Sequence, residues 1–210
     1  GELTVPEVEQ TERHGVYIVG YTDGTFGPSR SMTRSEAAAI FARLLAEKNG
    51  DTISTAANTK FADIPAHAWY SGYVKYLSNN GITYGKSKTI FAPNDAITRA
   101  EFTTMAVRFF DVYGDGDAEI MEQFSGFNDV SSGYWAAEYI KYAALHGWIN
   151  GYGDGSFHAD REINRAEVVT IVNRLLGREA DEDYIADNLR KLNTFPDVSR
   201  KHWAYYAVME

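Results

Sequence analysis

The chain has 210 residues, a formal charge of −9 and no cysteine. That charge argues against nucleic acid, which wants a basic face, and the missing cysteines exclude disulfides and thiolate metal sites while leaving the compartment open. Fourteen tyrosines and four tryptophans supply many rings with polar tips, suited to surfaces that meet sugars or proteins, and no apolar run is long enough to span a bilayer.

No signal-peptide pattern is visible, so any export signal is expected to have been removed or to lie outside this segment. Residues 1–12 are polar, with a weak helix start at Thr4-Val5-Pro6-Glu7. His14–Gly20 is extended by pattern and delivers the chain to a glycine-rich loop, where Tyr21-Thr22-Asp23-Gly24 is turn chemistry. That loop opens a unit that occurs three times, at Gly20–Leu45, Gly85–Phe110 and Gly151–Leu176. A Phe follows the first Gly by six residues in each copy (Phe26, Phe91, Phe157), and a Thr or Asn by thirteen (Thr33, Thr98, Asn164). Fixed-period similarity means supersecondary units that cannot bury their apolar faces alone.

Thr33-Arg34-Ser35-Glu36, Thr98-Arg99-Ala100-Glu101 and Asn164-Arg165-Ala166-Glu167 predict capping boxes. Met32, Ile97 and Ile163 precede the caps, placed to staple against Ala37, Phe102 and Val168. Apolar residues then recur on one helical face, as at Ala37, Ile40, Phe41, Leu44 and Leu45. Arg34, Arg99 and Arg165 fall at N1, where the helix dipole disfavours a cation by roughly 0.3–1 kcal/mol, so a negative group is expected to meet them. Arg43, Arg108 and Arg174 flank the apolar stripe and are expected to pack or to pair with the helix C-terminus.

A second element begins at Phe61-Ala62-Asp63-Ile64 and recurs as Phe127-Asn128-Asp129-Val130 and Phe195-Pro196-Asp197-Val198. A Trp follows each Phe by eight residues (Trp69, Trp135, Trp203) and is expected to open an aromatic-faced helix. Gly81 and Gly147 are placed to end two of these helices. Tyr113–Phe124 and Glu179–Leu192 are expected to be short extra helices. Asp111–Glu122 has EF-hand-like spacing, but Tyr113 stands at a chelating position, so no tight calcium is expected and the metal expectation is none. The five histidines show no ligand spacing.

The order F-x-D-[IV], Trp, G-Y-x-D-G-x-F and T-R-A-E, in triplicate from about Gly15 to the end, resembles the S-layer homology (SLH) domain. The resemblance implies an all-α fold, a pseudo-threefold arrangement of three repeats, each a Trp helix, a Gly-rich loop and a capped helix. It implies a non-catalytic, extracellular module without cofactor that anchors a longer bacterial surface protein by binding acidic secondary cell-wall polysaccharide, often bearing pyruvate ketals, in grooves between repeats. Carried over residue by residue, the expected ligand-binding set is Arg34, Arg99, Arg165, Asp63, Asp129, Asp197, Trp69, Trp135, Trp203, Tyr21, Gly24, Tyr152 and Gly155. The chain is expected to form one composite domain over 1–210: 15–50 as the loop and capped helix of repeat one, 61–113 as repeat two, 127–177 as repeat three. The segment 195–210 is then the Trp half that completes repeat one by packing against Gly20–Leu45.

Blander readings stand beside these. The N1 arginines could form structural ion pairs with Asp63, Asp129 or Asp197, and those aspartates could be caps or turn formers. The regular place of the tryptophans on a helix favours core over stacking platform. Asp23 and Glu36 could in principle serve a glycosidase, but capping already explains Glu36. A protein–protein or self-assembly module without glycan binding is the alternative function. The second loop reads Lys86-Ser87-Lys88 in place of the Tyr and Asp-Gly of the other two, so the groove at Arg99 is expected to bind less strongly than those at Arg34 and Arg165.

Overall fold

The computed structural model describes residues 17–114, 124–192 and 194–209. The helix start at Thr4–Glu7, most of the Tyr113–Phe124 linker and the greater part of the EF-hand-like stretch lie outside that range. Among the described residues the secondary structure is seven α-helices and three isolated β-bridges.

The three long helices, α1 (Arg34–Asn49), α3 (Arg99–Tyr113) and α5 (Arg165–Leu175), start where the capping boxes predict. Thr33, Thr98 and Asn164 accept from the amides of Glu36, Glu101 and Glu167, and each glutamate reaches back to the N-cap amide. The shorter helices α2 (Ser71–Asn79), α4 (Ala137–Leu145) and α7 (Tyr205–Met209) pack on α1, α3 and α5 respectively. Gly81 and Gly147 take left-handed φ values of 73° and 68° just beyond α2 and α4, as C-terminal glycines do. The Glu179–Leu192 linker contains α6 (Glu182–Asn188), which packs on α7. One apolar cluster runs through all repeats and includes Phe26, Phe91 and Phe157 together with Phe41, Phe102 and Phe109.

The residues before the caps do more than staple. Met32, Ile97 and Ile163 are fully buried, and their backbones form a closed ring. Met32 N–H donates to the Ile163 carbonyl, Ile163 to Ile97 and Ile97 to Met32, at 3.0, 3.0 and 2.9 Å. Around that ring each helix start leans on the loop of a neighbouring repeat. The amides of Arg34 and Ser35 donate to the carbonyls of Asp95 and Pro93, those of Arg99 and Ala100 to Arg161 and Ala159, and those of Arg165 and Ala166 to Arg30 and Pro28. First-turn amides have no partner inside their own helix, and here another repeat supplies it.

The F-x-D-[IV] segments straddle two neighbours. Phe61, Phe127 and Phe195 set their rings against Phe91, Phe157 and Phe26, at 5.5, 5.1 and 5.3 Å between centroids. A Cβ on Gly85, Gly151 or Gly20 would lie 2.5 Å from the same ring, so only glycine fits at the head of each loop. The C-terminal segment thus closes on the first loop as expected. Its helix, however, packs on α5, and Trp203 lies against the third repeat. The expectation that the whole segment rests on Gly20–Leu45 is corrected: its Phe and Asp reach the first repeat, while its helix continues the third.

If the central ring makes the three repeats one cooperative unit, Ile97→Ala should cost about 2–5 kcal/mol, as a fully buried aliphatic truncation does. Chemical denaturation should show one shifted transition, and Ile90→Ala at an exposed loop position should stay within about 0.5 kcal/mol of the parent.

Candidate functional site

Three grooves run between the repeats, and each draws on three parts of the chain. The first, about 250 Å³, is lined by Val19, Gly20 and Tyr21 of the first loop, Glu36 and Arg43 of α1, Arg165 at the start of α5, and Trp69. The third, about 280 Å³, repeats this with Asn150, Gly151, Tyr152, Glu167, Arg174, Arg99 and Trp203. The second is only about 90 Å³ and is lined by Tyr84, Gly85, Glu101, Arg108, Arg34 and Trp135. The N1 arginine of each groove therefore comes from a different repeat than the loop it faces. Chain order alone matches each arginine with the loop just before it, which puts the poor loop with Arg99. The structure sets Arg34 against the Gly85 loop, so the deficit belongs to Arg34.

The N1 arginines are buried, with 4%, 5% and 4% exposure for Arg34, Arg99 and Arg165. Their Nε atoms donate to the carbonyls of Phe91, Phe157 and Phe26, each at 2.8 Å. Arg165 adds a bond from Nη2 to the Val19 carbonyl at 2.7 Å, and Arg99 one to Asn150 at 3.2 Å. For Arg34 and Arg99 the negative partner is a glutamate rather than an aspartate. Arg34 pairs with Glu101 at 3.1 Å and Arg99 with Glu167 at 2.9 Å. Glu101 and Glu167 thus divide their oxygens, Oε2 to the N-cap amide and Oε1 to an arginine. Glu167 Oε1 also takes the Tyr152 hydroxyl at 2.9 Å and a contact from Arg161. Burial lowers the pKa of Arg99 and Arg165, opposed by Glu167 at the first and by Tyr21 and Glu36 at the second. Tyr21 and Tyr152 offer their ring faces to Arg165 and Arg99 at 4.7 and 5.1 Å.

The helix starts offer no free amides to an anion. The N1 and N2 amides donate to neighbouring carbonyls and the N3 amide to the cap side chain, so no first-turn amide is left over.

Asp63, Asp129 and Asp197 are not among the groove-lining residues; each clamps a loop. Asp129 accepts from the amides of Phe157 and His158, both at 2.7 Å, and Asp197 from those of Phe26 and Gly27 at 2.9 and 2.7 Å. Asp63 holds Phe91 and Ala92 the same way. The second residue of each pair is left-handed, with φ of 69° at Gly27, 59° at Ala92 and 55° at His158, and this turns two successive amides toward one anion. Partial burial raises the carboxyl pKa of Asp129 and Asp197, but the paired backbone bonds outweigh it and the net shift is downward. Gly24 and Gly155 lie outside the grooves as well. Their left-handed φ of 82° and 80° serves a turn in which Asp23 and Asp154 accept from Thr25 and Ser156.

The tryptophans correct the core reading. Trp69, Trp135 and Trp203 are 54%, 56% and 63% exposed, because each sits in the turn two residues before its helix rather than on it. Trp148 is the core indole instead. The sequence reading also missed Arg43, Arg108 and Arg174 as groove residues. Their signal is a fixed nine-residue step from the N1 arginine, two and a half helical turns, which packing or pairing with the helix C-terminus explains equally well.

The described residues thus define a helical repeat ring with exposed indoles facing guanidinium groups that range from buried to exposed. The family description "S-layer homology domain" matches residues 5–38, 60–103 and 126–169, and the chain belongs to that family. It is 35% identical to cell surface glycoprotein 1 of Acetivibrio thermocellus over 94% of this chain and 8% of that protein. It is 31% identical to the cellulosome-anchoring protein of the same organism over 98% of this chain and 44% of that protein. An S-layer protein of Bacillus licheniformis is 29% identical over 74% of this chain and 17% of its own length. The chain therefore spans less than half of each of these relatives.

Asp129→Asn should lower stability by about 1.5 kcal/mol, the low end for hydrogen bonds to a charged group because the carboxylate still meets solvent. At this chain length that is a fall in Tm of roughly 3–6 °C. Because the native carboxyl pKa values are depressed, the clamps contribute fully above the unfolded value of about 3.9 and are lost as pH falls below it. Thermal melts between pH 7 and pH 3 should show stability falling below about pH 4, less steeply in Asp129→Asn than in the parent.

Proposed function

We propose that this chain is one composite, non-catalytic anchoring domain that fixes a longer surface protein to the bacterial cell wall or S-layer by binding acidic secondary cell-wall polysaccharide. The carrying observation is the pairing, in the first and third grooves, of an exposed indole with two arginines across an open space of sugar size. An exposed ring suits the apolar face of a pyranose, and a guanidinium suits a carboxylate such as that of a pyruvate ketal. The family membership and the anchoring relatives support the same reading. Loop and helix carboxylates that could otherwise suggest a glycosidase are committed elsewhere, Asp23 to Thr25 and Glu36 to the Thr33 cap.

The test is co-sedimentation with purified wall polysaccharide before and after mild-acid removal of ketal-linked pyruvate. Binding is expected to the untreated glycan and to fall sharply after treatment. Trp69→Ala and Trp203→Ala should each weaken it more than Trp135→Ala, whose groove is the small one. No binding to untreated glycan would sink the reading in favour of a self-assembly module.

A further inference from the structure

Two arginines line every groove, and they do different things. This inference rests on the glycan-binding reading above and concerns which arginine meets the anion. Arg165 and Arg99 form the groove floors: they are buried, and their Nε and Nη2 atoms are bonded to backbone carbonyls. Arg99 is also neutralised by Glu167.

Arg43 and Arg174 are placed otherwise. Arg43 is half-buried, touches the Tyr17 carbonyl at 3.4 Å and lies over the face of Tyr73 at 5.1 Å. Arg174 is exposed in the groove wall. Its neighbour is the Asn150 side-chain amide, whose oxygen lies 3.2 Å from Nη1 in the orientation that satisfies both of its ends. Among the described residues no carboxylate lies within ion-pair distance of Arg43, Arg108 or Arg174. Among the described residues Arg43 and Arg174 are therefore cations with no carboxylate in direct contact, each in a groove that also holds an exposed indole. Arg108 is equivalent by sequence but occupied: both Nε and Nη2 donate to the Tyr139 hydroxyl, at 3.3 and 3.1 Å. Its guanidinium is also flanked by the rings of Tyr84 and Tyr139 at 4.7 and 5.0 Å. Tyr84 stands where the other loops have Val19 and Asn150, and the second groove is correspondingly small.

We infer that Arg43 and Arg174 receive the anionic group of the sugar, that Arg165 and Arg99 are positioning residues beneath it, and that the second groove is filled by its own Arg108, Tyr84 and Tyr139. The domain then carries two anionic-sugar sites.

The probe is the methyl glycoside of a hexopyranose bearing a pyruvate ketal, with its methyl ester as the uncharged comparison, titrated calorimetrically into the intact chain at low salt. Two sites per chain are expected, with the ester bound far more weakly. Arg43→Gln and Arg174→Gln should each leave one site, and the double variant should lose affinity roughly tenfold to hundredfold at both. Melting temperatures should stay near the parent's, since Arg174 meets the exposed Asn150 and the bond of Arg43 to the Tyr17 carbonyl is long, at 3.4 Å. Arg43→Lys and Arg174→Lys, which keep the charge and lose the fork, should fall between. Arg108→Gln should keep two sites. The same variants are run against intact wall polysaccharide, so that a probe too small to be held does not decide the matter. Undiminished binding by a folded double variant, or loss of a site in Arg108→Gln, would overturn the inference while leaving the glycan reading intact. A parent chain that binds neither probe nor polysaccharide would remove both.

Discussion

Every helix start leaves backbone donors that its own helix cannot satisfy, and in this protein another repeat satisfies them. Six N1 and N2 amides of α1, α3 and α5 donate to carbonyls of the next loop around the ring, and three more amides close the ring at Met32, Ile97 and Ile163. An isolated repeat would present those donors, its apolar stripe and a buried arginine to water together. The repeats are thus obligate neighbours, and the grooves are a by-product of how they meet.

The same constraint explains the buried arginines. A cation at N1 opposes the helix dipole, yet Arg34, Arg99 and Arg165 reach across to a Phe carbonyl of the adjoining loop, and Arg34 and Arg99 also meet that repeat's capping glutamate. Desolvating a guanidinium is tolerable when carbonyls and a carboxylate replace its water. What the groove gains is a rigid floor, over which loop tyrosines and a tryptophan from a third segment are held at fixed distances. Three repeats of one plan need not yield three equal sites: where Tyr84 replaces Val19 or Asn150, the groove contracts to about 90 Å³.

The elements were legible in the sequence because their signals are local. Capping boxes, C-terminal glycines and the apolar stripe all depend on spacings within a few turns, and each appears where spacing placed it. The sites were less legible because their partners are remote. Nothing near Arg34 in the chain says that it faces Phe91 and Glu101, and nothing near Asp197 says that it clamps Phe26 and Gly27. The tryptophans misled for a different reason: their regular spacing reads as helix, yet two residues of turn before each helix lift the indoles into solvent. Arg43 and its equivalents carried a periodic signal that was visible but equally consistent with packing.

The clamp from Asp197 to the first loop joins positions 171 and 170 residues apart. Contacts at such separation form late, since most of the chain must already be ordered before their closure entropy is offset. On a ribosome or a translocation pore the first loop emerges early and waits for its carboxylate until nearly the whole ring has been made. The loop nearest the start of the chain is consequently the last of the three to be clamped, and a chain halted before Asp197 would carry the third repeat's loop clamped by Asp129 but leave the first loop open.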